Sequence, residues 1–186
     1  MSSLGRNFSF LQSPIPEHRL GRYKTGSTAI PQGAPVLATG ATDTADKRRA
    51  VALAAADAPM AGAVGGLGGI LVWDEGWEGL NGLDSALNSA SDVGLVPAYT
   101  AAQVVHGTEV RVGFRNTTTH SFLNLRNYYG LVMVNMTSLV LGDYLTPGAG
   151  DDTNGFWKRT TTAANGWLRV TGIDSTNGLV EAQMLF

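Results

Sequence analysis

The sequence predicts a mainly β protein, and three observations predict it. The chain ends in three runs rich in β-branched and aromatic residues, Phe156 to Thr162, Trp167 to Ile173 and Leu179 to Phe186. Asn165-Gly166 lies between the first two runs and Asn177-Gly178 precedes the third. Asn-Gly readily adopts the positive φ values of hairpin turns, so these runs are expected to form a three-strand antiparallel meander. Further upstream, Val110-Arg111-Val112-Gly113-Phe114-Arg115 alternates apolar with polar or small residues, the pattern of a half-buried strand. The composition agrees, with 24 glycines among 186 residues and many Ala, Thr and Ser.

A chain of this length buries a sizeable core without disulfides or a metal. The absence of cysteine excludes a disulfide scaffold, thiol catalysis and thiolate metal sites. Charged residues make up 15%, below the roughly 25% typical of soluble domains, which points to neutral surface that a partner covers. The net charge is −2, but it is unevenly placed. Arg6, Arg19, Arg22 and Lys24 face only Glu17 in residues 1–28, whereas the remainder is acidic. Met1 to Phe10 lacks a basic stretch followed by an apolar one, and Ala61 to Trp73 is too short and Gly-rich to span a bilayer. Synthesis in a cytoplasm, with no membrane partner, is the expectation.

Residues 1–28 show no sustained period, and Ser13-Pro14-Ile15-Pro16 favours extended backbone. This segment reads as an arm outside the core, either a plain leader or a strand ordered on another protein surface. Phe8, Phe10, Leu11, Leu20 and Tyr23 give it more apolar weight than a solvated tail carries. Its four dispersed basic residues are too sparse for a nucleic-acid site.

The body is expected over residues 29–186. A spacing of apolar, two residues, Gly, two residues, apolar recurs as Ile30-Gly33-Val36, Val104-Gly107-Val110 and Leu139-Gly142-Leu145. A strand that turns at Gly and re-enters the core produces it. Ala50 to Ala54 reads as a strand ahead of Pro59, and Ile70 to Trp73 as a buried strand after the Gly62 to Gly69 loop. These glycines precede a strand instead of leading into a helix, and no Lys-Ser/Thr follows, so phosphate binding is not supported. Asn81 to Ala90 has leucines at helical spacing and is expected to be a short surface helix. Asn116 to His120 should be a turn with Phe122 to Leu125 returning, and Leu131 to Met136 another strand. Ser138 to Leu141 reads as a short apolar strand stopped by Gly142-Asp143, and Tyr144 to Thr146 as one stopped by Pro147 to Gly150.

Catalytic templates find little support. His18, His106 and His120 are not at metal-ligand spacing, and no Gly-x-Ser-x-Gly elbow occurs. Asp151-Asp152 lack the periodic oxygen ligands of a calcium loop. Asp74, Glu75 and Glu78 beside Trp73 and Trp77 form a grouping that sugar-cleaving sites use. The expectation is a non-enzyme with no catalytic residues, cofactor or metal. A carbohydrate-binding β module stacking sugars on Trp73, Trp77, Trp157 and Trp167 is the alternative, and a glycosidase using the three carboxylates is a third.

The arm, "TGSTAIPQGAPVLATG", "RRAVALAAADAP", "GGILVWDE" and the terminal "LGDYLTPG…WLRVTG…GLVEAQMLF" together resemble the head decoration, or capsid cement, proteins of tailed bacteriophages. The similarity covers most of the chain except about residues 76–130. It implies a small β-barrel or β-tulip body with an extended N-terminal arm and a loop-rich insertion at 76–130. It further implies homotrimers on the capsid exterior of the virion, stabilising the lattice of the major capsid protein. The arm would reach onto that protein through Arg6, Phe8, Phe10, Arg19, Arg22, Tyr23 and Lys24.

Overall fold

Alternating and β-branched segments take up extended backbone throughout, and helix is limited to one 3-10 turn among the described residues, Ala163–Asn165. The computed structural model describes residues 8–10, 23–31, 33–42, 47–60, 68–72, 95–96, 98–99, 101–106, 111–116, 133–134, 138–151, 155–176 and 179–186. The expected helix at Asn81 to Ala90, the Asn116 to His120 turn beyond Asn116, and the Phe122 to Leu125 run lie outside them.

The strands are β1 (Phe8–Phe10), β2 (Tyr23–Thr25), β3 (Ile30–Pro31), β4 (Pro35–Thr42), β5 (Arg49–Leu53), β6 (Gly68–Val72), β7 (Leu95–Val96), β8 (Ala101–Val105), β9 (Arg111–Asn116), β10 (Met133–Val134), β11 (Tyr144–Asp151), β12 (Gly155–Thr160), β13 (Leu168–Asp174) and β14 (Leu179–Met184). The fold is mainly β, with a closed five-stranded barrel in the order β2-β5-β4-β6-β8. All its pairings are antiparallel except β2 with β5. β3 and β7 form a small separate ladder. The other strands form a seven-stranded sheet, β1-β9-β10-β12-β11-β13-β14, in which β14 also pairs with β9. That last pairing joins the sheet into a second circuit, with β1 added on the edge of β9.

The two circuits share one apolar core. Trp157 and Trp167 are fully buried where they meet, with ring centroids 5.8 Å apart and planes at 71°. Edge-on contact sets the positive rim of one ring against the negative face of the other, worth about 0.5–1.5 kcal/mol beyond burial. Each indole also donates a hydrogen bond of 2.9 Å into the first barrel's loops, Trp157 Nε1 to the Gly33 carbonyl and Trp167 Nε1 to the Ala58 carbonyl. Lys158 Nζ adds an ion pair of 2.6 Å to Asp57 at the surface.

Four expectations change. The C-terminal meander is interrupted, because β11 lies between β12 and β13 and pairs with both. Asn165-Gly166 is not a two-residue hairpin turn: Gly166 has φ −72° and ends the 3-10 turn. The link from β12 therefore steps across β11, and Trp167 N–H donates to the Leu145 carbonyl at 2.8 Å. The β13–β14 hairpin does form, with Leu168 opposite Met184 and Asp174 opposite Leu179. Second, Pro147 to Gly150 does not end the strand, since β11 continues to Asp151 with an irregular register after Pro147. Pro147 has no N–H to pair, and a ladder disruption is where a strand accommodates that.

Third, the body begins before Ala29. β2 is part of the closed barrel and Thr25 is fully buried, so Tyr23 and Lys24 are barrel residues and not arm. Fourth, β7, β8 and β9 fall within the expected 76–130 insertion, yet β8 closes the first barrel and β9 is central to the second circuit.

Candidate functional site: a braced apolar tip

Ser138 to Asp143 is a turn at the start of β11, not a strand. Leu139 points into the core, while Val140 and Leu141 are 55% and 65% exposed. Reversal of the chain needs left-handed backbone at both ends, Ser138 at φ 59° and Gly142 at φ 87°. Glycine takes that conformation without Cβ strain. Gly33, in the Ile30-Gly33-Val36 spacing, has φ 82° between two buried apolar residues. The two copies of the spacing whose glycine is described thus share a left-handed glycine, and Gly107 of the third lies outside the described residues.

The tip is held from several sides. The Val140 N–H donates to Asp143 Oδ2 at 2.9 Å, and the Asp143 N–H donates to the Val140 carbonyl at 3.1 Å. Gly142 N–H donates to the Val170 carbonyl at 2.9 Å, and Val170 N–H returns a bond of 2.8 Å to the Asp143 carbonyl, tying the turn to β13. Arg159 on β12 completes the brace, with Nε 2.7 Å from Asp143 Oδ2 and Nη2 3.4 Å from Oδ1. The Asp143 carboxylate is mostly shielded from solvent, so this pair is less screened than a free surface bridge. The arrangement holds two large apolar side chains in water on a rigid mount. Each would gain about 1.5–3 kcal/mol on full burial against a partner.

The residues expected to bind a partner are divided between two sheets. Phe8 and Phe10 lie in β1 opposite Phe114 and Val112, and Tyr23 and Lys24 lie in β2 beside Ala102 and Ala101. Arg6, Arg19 and Arg22 lie outside the described residues. Of the aromatic platforms expected for a sugar, Trp157 and Trp167 are fully buried and offer no face to a ligand. Trp73, Trp77, Asp74, Glu75 and Glu78 lie outside the described residues. Gly68 and Gly69 belong to strand β6. Among the described residues no group of three or more His, Cys, Asp or Glu is placed to hold a metal ion. Nor is any helix there long and apolar enough to cross a membrane.

Neither periodicity nor composition marks Val140, Leu141, Asp143 and Arg159 as a site. The Gly142 spacing is a signal for it, since it marks a turn where the composition of Ser138 to Leu141 predicts a strand. No family model matches the chain, and no curated protein matches it.

Proposed function

We propose that this protein is a structural virion component that binds the outside of a bacteriophage capsid as a homotrimer and stabilises the lattice of the major capsid protein. The observation that carries this reading is the braced tip: a turn fixed by six hydrogen bonds among Asp143, Arg159, Val140, Gly142 and Val170 presents Val140 and Leu141 outward. Rigid apolar display favours a permanent contact, because little side-chain or loop entropy remains to be lost when the partner arrives. The resemblance of the sequence to capsid decoration proteins supplies the class of partner. Such a protein stabilises by mass action, since binding the assembled lattice alone draws the equilibrium away from disassembly. Many modest contacts on one lattice add through simultaneous engagement.

Purified protein added to undecorated capsids and imaged by cryo-electron microscopy tests this. The expected result is extra density at threefold and quasi-threefold positions, lost or strongly reduced with Val140→Ser and Leu141→Ser together. Bare shells at saturating wild-type protein overturn the reading.

A further inference from the structure

β1 pairs with β9 through Phe8↔Phe114, Ser9↔Gly113 and Phe10↔Val112, whereas β2, the next strand in sequence, lies in the other barrel between β5 and β8. On one edge of β9, β14 covers Arg111 to Arg115. On the other, among the described residues, β10 pairs with Arg115 and Asn116 and β1 fills the edge at Val112 to Phe114. An unfilled strand edge beside the fully buried Val112 is a template for any extended segment.

Residues 11–22 join β1 to β2. Extended at ~3.3–3.6 Å per residue they reach about 40 Å, comparable with the width of a folded chain of this length, whose radius of gyration is about 16 Å. Pro14 and Pro16 bias that link towards extended backbone. The link is therefore long enough to carry β1 across the width of a folded copy to the acceptor edge of a neighbour. The same residue pairs form in either case, and within an oligomer the neighbour's edge is held at high effective concentration.

We propose that β1 is exchanged in the assembled protein: Phe8–Phe10 of each copy fills the β9 edge of the next copy, head to tail. Donor and acceptor are different surfaces, so the contact is heterologous, and a closed ring leaves no edge unfilled. This rests on the homo-oligomer proposed above and names the segment that links its subunits.

The chain has no cysteine, so Ser9→Cys with Gly113→Cys places a single engineered pair across the contact. Directly opposed antiparallel residues have the Cα separation a disulfide needs. After oxidation of the full-length protein, a non-reducing gel should show a covalent ladder up to the oligomer. Co-expressing S9C chains with G113C chains should give a covalent heterodimer, which only exchange produces. Phe8→Cys with Phe114→Cys repeats the measurement at the adjacent register position, in case the first pair misfolds. Crosslinks confined within single chains, or none at all in folded protein, overturn the exchange. Sedimentation of the wild-type protein separates the two ideas: an oligomer with only intrachain crosslinks sinks the exchange alone, and a monomer sinks the homo-oligomer as well.

Discussion

The indole N–H of Trp157 on β12 donates a buried hydrogen bond of 2.9 Å to the carbonyl of Gly33, which sits in the turn before β4. It joins the two strand circuits at a point where no water reaches. Trp157→Phe keeps an aromatic ring but removes the donor and leaves the Gly33 carbonyl with one partner fewer. The expected loss is about 1–3 kcal/mol of unfolding free energy, read from urea denaturation. A change below about 0.5 kcal/mol, the level of an ordinary surface substitution, would show that this bond does not hold the circuits together.

Gly68 tests the same junction from the other side. A Cβ there would sit 2.6 Å from Trp167 Cη2, 3.0 Å from Leu37 Cδ2 and 3.0 Å from the Met60 carbonyl oxygen. That carbonyl also accepts the Gly68 N–H and cannot retreat freely. Gly68→Ala should cost about 1–3 kcal/mol through overpacking, and thermal melting will register it. Gly26→Ala is the control, since among the described residues its Cβ would meet nothing closer than the Val51 carbonyl at 3.8 Å.

Thr146 points the opposite way, towards a gain. It is fully buried in β11 and its hydroxyl has no hydrogen-bond partner among the described residues. Thr146→Val replaces the orphaned hydroxyl with a methyl of similar size and should raise stability by about 1 kcal/mol. A destabilised variant in denaturant titration would mean that the hydroxyl is paired after all.

The barrel closure at β2 sets where the N-terminus can be cut. Removing residues 1–20 spares Tyr23–Thr25 and should leave a protein that unfolds cooperatively. Removing residues 1–25 takes out the strand between β5 and β8 and buried Thr25, opening the barrel. Differential scanning calorimetry should show one sharp transition for the shorter deletion and a broadened or absent one for the longer. Equal transitions would place β2 outside the cooperative unit.

Strand identity was legible where composition alone decides it. The Ala/Val run became β5, Ile70 to Val72 lies in β6, and the alternation at Val112 and Phe114 lies in β9. The glycine spacing correctly located the left-handed turns at Gly33 and Gly142. Neighbour choice was not legible, because a strand's periodicity says which face is buried and nothing about which edge it meets. Asn165-Gly166 carries a hairpin signal, yet β12 is not the neighbour of Leu168, which pairs with Leu145, more than twenty residues upstream, on one edge and with Met184 on the other. The tip is hidden in the sequence for a related reason. Val140 and Leu141 have the composition of buried strand, and the hydrogen bonds of Asp143 to Val140 and Arg159 that hold them outward in a turn join residues that composition does not connect.

The placement of β9 between β1 and β14 also orders events during synthesis. The first barrel uses only strands from β2 to β8, so its last component leaves the ribosome at Val105. The second circuit waits for Leu179–Met184 at the end of the chain, and until then the edge of β9 that β14 will cover stays open. Ring closure across such a sequence separation is slow relative to local hairpins. A chain that stops before Leu179 therefore has every strand of the first barrel but lacks the strand that covers Arg111 to Arg115 of β9.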